Sequence, residues 1–297
     1  MKRKIARIGS STLMISLPSR WVKANHIEKG EELDVEETGS SLYIHSTPKK
    51  KTKSAEISIP TTHSFSRRIL VSPFKEGHDI ITIHFEEQKV LDLIQQNLYL
   101  LMGFEIVEQG RNYCTLKNVM TIDPDTVDTI FNRAIHIFST MEVELLDAVE
   151  KEDWENIGSI IRREDLLNKY DLFCKRLLRM NIYKDPLKMI QMSWVLALVE
   201  EMGDCYVEIC KHVIKEKKAI SIDLKKVMKE ISLQFKRSYS LFHKPDKKLF
   251  YEFREMELRI QKEINSLYHE SPRHEFPIIS QLVVILNKQH HITEEIL

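Results

Sequence analysis

The chain is poor in the two residues that interrupt regular structure. Its 297 residues include only 8 glycines and 9 prolines, which suits long helices better than a loop-rich β protein. Cysteine is equally sparse. Cys114, Cys174, Cys205 and Cys210 form no CxxC pair and no metal-finger spacing, which argues against a zinc site and leaves reduced thiols in a cytoplasmic compartment as the expectation. Long apolar runs are missing as well: "WVLALV" and "LVVIL" fall far short of the roughly 20 residues that cross a bilayer. The N-terminus carries charge with no apolar h-region behind it, so no secretory signal is expected. Catalytic signatures are absent too, with no GxxxxGK[ST] loop, no GxGxxG after a strand, no GxSxG elbow and no HExxH. The histidines are scattered, and His290 and His291, being adjacent, point to different sides of a helix. No enzyme is expected.

What is present reads as globular: 42% hydrophobic and 30% charged residues. The length exceeds one small core, so two or three domains are expected. Net charge is zero, with 44 Lys+Arg against 44 Asp+Glu, yet it is unevenly spread. Through Gly30 the basic residues Lys2, Arg3, Lys4, Arg7, Arg20, Lys23 and Lys29 face a single acid, Glu28.

Three regions follow from patterning, with boundaries at 1–48, 49–122 and 123–297. The first alternates short apolar strands with turn signals. "LMISL" is a strand, Pro18 starts a short helix in "SRWVKANHI", and "ELDVEE" and "SLYIHS" form a hairpin around Thr38-Gly39. The basic run "TPKKKTKS" then reads as a solvated linker or a nucleic-acid arm. The second region is expected to be a small ββαββ unit, with strands at "RRILVSP" and "DIITIHF". A helix in "EEQKVLDLIQQNLYLLM" follows, then a hairpin around Gly110-Arg111-Asn112. After Asp123-Pro124 strand signals vanish. Breaks near 151–153, 184–186, 220–223, 244–246 and 271–272 divide the rest into about six helices, two sets of three. In one of them Leu187, Ile190, Trp194, Leu198, Met202, Cys205, Ile209 and Val213 form an apolar stripe, expected to be core.

The N-terminal segment "RKIARIGSSTLMISLPSRWVKANHIEKGEELDVEE", with "SLYIHS" after it, resembles the AbrB/SpoVT/MazE family of swapped-hairpin DNA-binding domains. A basic strand, a Gly-polar loop, a strand ending in Leu-Pro, a short helix, Lys-Gly and a hairpin occur in the family's order. "KGEEL" departs from the Gly-Asp common there. The resemblance implies a barrel completed by two interleaved chains, hence a homodimer. It implies DNA contact through Lys2, Arg3, Lys4, Arg7, Ser10, Ser11, Thr12 and Arg20. Cationic side chains displace counterions from phosphates, and hydroxyls bond phosphate oxygens. The plainer reading is a solvated basic face on a dimerisation module.

The helices resemble the PhoU family of phosphate-uptake regulators, through "IIRREDLLNKYDLFCKRLLR" and "WVLALVEEMGDCYVEICKHVI". The middle region, with "LLMGFEIVEQGRNYCTLKNV", looks like the linking segment of archaeal proteins that join an AbrB-like domain to a PhoU-like one. The resemblance implies an all-α pair of three-helix bundles, a phosphate transporter or signalling protein as partner, and divalent metal at ExxxD positions. Here those positions are Glu164, Glu200 and Asp204. Glu200 and Asp204 share a helix face, which suits a cation site and ordinary solvation equally. Asn168 and Asn287 stand at other motif positions and supply no charge, so any cation is expected to bind weakly. The function implied is a DNA-binding transcriptional regulator linked to phosphate uptake, its helices acting as sensor or docking module. The alternative is an adaptor that does not bind DNA and regulates a phosphate transporter or kinase through those helices.

Overall fold

The computed structural model describes residues 2–9, 11–46, 52–121, 126–180 and 185–294. The expected DNA contact Ser10, residues 47–51 of the basic run and the Asp123-Pro124 boundary lie outside the described residues. The chain divides into two compact units, Met1–Lys53 and Ser54–Leu297.

The first unit follows the order of parts expected. Strands β1 (Ile5–Ile8) and β2 (Thr12–Ile15) pair antiparallel, across a turn in which Gly9 takes a positive φ of 69°. Pro18, with φ near its ring-fixed value, opens the short helix α1 (Ser19–Ala24). Strands β3 (Leu33–Thr38) and β4 (Ser41–Ser46) close a second hairpin over Gly39, also at positive φ. Among the described residues of one chain no barrel closes: the two hairpins are separate two-stranded sheets. Every side chain of β1 and β2 is exposed, and an isolated two-stranded hairpin is marginal in water.

The second unit opens with a four-stranded sheet in the order β5-β6-β8-β7. Its strands are β5 (Ser54–Ser58), β6 (Ile80–His84), β7 (Phe104–Gln109) and β8 (Tyr113–Asn118). β5 and β6 run parallel, and β7–β8 is the hairpin expected around Gly110, with a bulge between Ile106 and Glu108. The ββαββ outline keeps its four strands and its helix α3 (Lys89–Asn97), with one change of element. "RRILVSP" forms helix α2 (Arg67–Lys75), not a strand, and the first strand lies earlier, at β5. Ser66 caps α2 by accepting a hydrogen bond from the Arg68 amide. Leu70, Val71 and Phe74 then fall on one helical face and are buried. Pro73 sits in the last turns, and the aliphatic run before it imitates a strand in sequence. β5 is half-buried only at Ala55 and Ile57, so its apolar signal is short.

Among the described residues six long helices follow: α4 (Thr126–Lys151), α5 (Ile157–Met180), α6 (Pro186–Glu216), α7 (Ile222–His243), α8 (Lys247–Glu270) and α9 (Phe276–Glu294). Helices α4–α6 pack on one another, as do α7–α9, and the pairs α6–α9 and α4–α7 join the two sets. Phe138 of α4 meets Tyr206 of α6 and Phe235 of α7 in one aromatic cluster. The breaks are chemically marked. Asp185 caps α6 ahead of Pro186, Ser221 caps α7, and Asp246 caps α8. The buried Glu275 carboxylate accepts from both the amide and hydroxyl of Ser221, fixing the α6–α7 turn. Among the described residues no helix is long and apolar enough to cross a membrane.

The α6 stripe is core only in part. Leu198, Met202, Cys205, Ile209 and Val213 are buried, but Leu187, Ile190 and Trp194 are 75%, 54% and 47% exposed. Helix α9 runs antiparallel to α6, with Lys288 on Glu201 and the His274 carbonyl on His212. At equal rise, its described part ends about level with residue 195 of α6. The first turns of α6 extend past that cover.

Candidate functional site

In the N-terminal hairpin, cross-strand partners share a face, so the register assigns directions. Ile5 with Ile15 and Arg7 with Leu13 occupy one face; Ala6 with Met14 and Ile8 with Thr12 occupy the other. Lys2, Arg3, Lys4, Arg7, Ser11, Thr12 and Arg20 are all exposed. Arg3 reaches across the hairpin, its Nη1 donating to Ser16 Oγ at 3.5 Å. Arg7 and Thr12 project from opposite faces, so in one chain the expected contacts do not form a single patch. Both faces also present bare apolar side chains: Ile5, Leu13 and Ile15 beside Arg7, and Ile8 and Met14 beside Thr12.

The metal positions assemble more tightly than helix periodicity suggests. Glu164 of α5 joins Glu200 and Asp204 of α6, and one ligand atom from each lies within 4.8 Å of the others. Gly203 makes this approach feasible. A Cβ there would sit 2.7 Å from Leu167 Cδ1, so glycine lets α5 settle closely onto α6 beside the carboxylates. Burial pushes the Glu164 carboxyl up to about 7, with repulsion from Asp204 and Asp165 adding to it. Burial likewise raises Glu200 to about 7, helped by Asp171 and Asp204. The Asn168 side-chain amide donates to Glu164 Oε1, so this uncharged position supports the site without adding charge.

An all-oxygen carboxylate set suits a hard divalent cation such as Mg²⁺, Ca²⁺ or Mn²⁺. A divalent cation would also offset most of the repulsion among the three carboxyl groups, so the residues fit the group. Among the described residues this is the one such cluster. Asn287, the corresponding position in α9, is exposed. Sequence reasoning missed two neighbours of the cluster, Gly203 and Asp171, the second adding its charge to the rise at Glu200. The signal for Asp171 was its place seven residues after Glu164, on the same face of α5.

The helix that carries Glu164 is also clamped to the segments around the sheet, α2, the loop after it and the turn at Tyr99. Tyr99 donates to Asp165 at 2.6 Å. Arg176, fully buried, donates to the Phe74 and His78 carbonyls and to Asp79 Oδ1, and lies over the Phe74 and Phe104 rings. Those bonds satisfy most of the guanidinium's donors, as a buried charge requires.

Residues 6–54 match the family model of MazE, described as antidote-toxin recognition MazE, bacterial antitoxin. The N-terminal unit is thus a MazE-like domain. No curated protein matches the chain. Among solved structures, the chain is similar to the crystal structure of the phosphate transport system regulatory protein PhoU from Streptococcus pneumoniae. That similarity has 18% identity and a TM-score of 0.47, covering 58% of this chain and 92% of that one.

Proposed function

We propose that this chain is a DNA-binding regulator of phosphate uptake that works in the cytoplasm as a dimer of its N-terminal units. The observation that carries the reading is the β1–β2 hairpin, which buries none of its side chains yet combines apolar faces with Arg7 and the flanking basic residues. A second copy would cover the apolar faces and bring the basic residues together in pairs, which suits a two-lobed or pseudo-palindromic site. The sequence resemblance of the helices to PhoU supplies the link to phosphate. The helical part then acts as sensor or docking module, and the Glu164–Glu200–Asp204 cluster holds a hard divalent cation, weakly because Asn168 replaces a carboxylate.

The test is a fluorescence-anisotropy titration against promoter DNA at several salt concentrations. Arg3→Ala with Arg7→Ala is expected to leave the dimer and helices folded but to weaken binding. Losing up to four phosphate contacts per dimer should flatten the log–log salt dependence by up to about 3–4 units. Unchanged affinity and slope would move the function to the adaptor reading. The exposed stripe of Leu187, Ile190 and Trp194 on α6 favours that second reading, because it offers the helices a surface for a transporter or kinase.

A further inference from the structure

Positive charge is concentrated a second time along the chain, in the helical unit. Between Lys211 and Lys229 seven lysines stand against two acids, Glu216 and Asp223, in a chain of zero net charge. The last part of this stretch forms the first turns of α7, which lie beside the end of α4 and leave a groove of about 650 Å³. Its walls are Ile222, Lys225, Lys226 and Lys229 of α7 and Glu150 of α4. The groove is at the opposite end of α6 from Leu187, Ile190 and Trp194. Ile222 is 83% exposed, more than any residue of that stripe. Lys229 holds Glu150, and Lys226 holds Glu263 at 3.1 Å, so two of the three ammonium groups already take carboxylates. Surface pairs of this kind are weak and exchange readily for another carboxylate. Lys225 is half-buried, and its ammonium has no hydrogen-bond or ion-pair partner among the described residues.

We infer that this groove docks an acidic peptide segment of a partner protein, one with carboxylates on either side of an apolar side chain. The carboxylates pair with Lys225 and Lys229, the second exchanging Glu150 for the peptide, and the apolar side chain covers Ile222. The groove's volume is in the range that encloses a few side chains. Nucleic acid fits it less well. Closely spaced phosphates call for cations without acids between them, whereas Glu150 lines this groove and Asp223 and Glu263 line its neighbour around Lys226. A phosphate also gains nothing from Ile222. The inference depends on neither the DNA reading nor the cation cluster, since none of those residues lines the groove.

The experiment is a fluorescence-anisotropy titration of the full-length protein against a fluorescein-labelled peptide, Glu-Glu-Phe-Glu-Glu-Leu-Glu, beside a control peptide in which Ser replaces Phe and Leu. Wild type is compared with Lys225→Gln/Lys229→Gln, Ile222→Ser and Arg3→Ala/Arg7→Ala, with far-UV circular dichroism confirming folding. The lysine pair is expected to weaken peptide binding about tenfold, the loss of two exposed charge pairs. Ile222→Ser is expected to weaken it about fivefold, and the serine peptide to bind wild type about fivefold less tightly, through the lost apolar contact. Arg3→Ala/Arg7→Ala should bind as wild type does, which keeps this result separate from the DNA reading. Unchanged affinity in the lysine pair or in Ile222→Ser, or a serine peptide bound as tightly as the original, overturns the inference. So does a wild type that fails to bind the peptide at millimolar concentration. Loss of peptide binding in Arg3→Ala/Arg7→Ala overturns it too, by moving the peptide to the N-terminal unit. A duplex oligonucleotide that loses affinity in Lys225→Gln/Lys229→Gln while the peptide does not reassigns the groove to nucleic acid.

Discussion

Ile83 and Leu13 are both apolar residues on short strands of this chain, yet Ile83 is fully buried and Leu13 is 64% exposed. The difference lies in what covers the strands. In the second unit the sheet carrying Ile81, Ile83, Cys114 and Leu116 packs in a core with Leu70, Phe74, Val90 and Ile94 of α2 and α3. The first unit offers only the six-residue α1, and none of its described residues is buried. One unit satisfies its apolar surface within a single chain. The other has, among its described residues, strands without a second layer, the observation on which the proposed dimer rests.

The strongest way to break this comparison is to charge one of the bare faces. Ile5→Asp with Leu13→Asp should turn a dimer into a monomer while the helical unit keeps its melting transition. Each large apolar side chain that loses its cover forfeits about 1.5–3 kcal/mol, so two per chain in a two-fold interface raise the dimer dissociation constant by more than about a thousandfold. Sedimentation velocity at micromolar concentration reads the outcome. A wild-type monomer under the same conditions would undo the account of the first unit.

A smaller effect separates the units through glycine. At Gly203 an added methyl collides with Leu167, whereas at Gly9 nothing lies within 4 Å and only the positive φ resists substitution. Gly203→Ala should therefore cost about 1–3 kcal/mol by overpacking and weaken Mn²⁺ binding by spreading the carboxylates. Gly9→Ala should cost about 1–2 kcal/mol through backbone strain alone, without touching metal affinity. Chemical denaturation with a parallel metal titration distinguishes them.

The smallest expected effect is electrostatic. Glu164 and Glu200 have carboxyls raised from 4.5 to about 7. Between those values the folded state keeps protons that the unfolded chain has already released. The contribution of this pair to the stability of the second unit therefore falls as pH rises from about 4.5 to about 7 and levels off above. Because solvent reaches this half-buried pair, the loss is discounted to about 1 kcal/mol. Glu164→Gln with Glu200→Gln should flatten that decline in metal-free thermal melts, and saturating Mn²⁺ should oppose it in the wild type.

The helices were legible because their breaks carry their own chemistry. Asp185 before Pro186, Ser221 and Asp246 cap helices by local hydrogen bonds that depend on few distant residues. The two hairpins of the first unit were legible for the same reason, with Gly9 and Gly39 in the left-handed region their turns demand. The failures came where local signals were short or balanced. "RRILVSP" satisfies strand and helix patterns alike, and the choice fell to the helix because Ser66 caps it and Leu70, Val71 and Phe74 find a sheet to cover. β5 offered two apolar side chains between polar ones and became a strand by pairing with β6.

The carboxylate site divides along the same line. Sequence alone determined that Glu200 and Asp204 share one face of α6, because a spacing of four residues fixes their direction whatever surrounds them. It also determined that Glu164, Asn168 and Asp171 share one face of α5. Only the tertiary structure decided that these faces meet, how closely Gly203 lets them approach, and that the Asp171 Oδ1 is shut away without a donor. It decided, too, that Leu187, Ile190 and Trp194 lie beyond the described end of α9 while the rest of their stripe is buried. Periodicity sets where a side chain points, but burial depends on which element comes to stand opposite it, and that is fixed by residues far away in the chain.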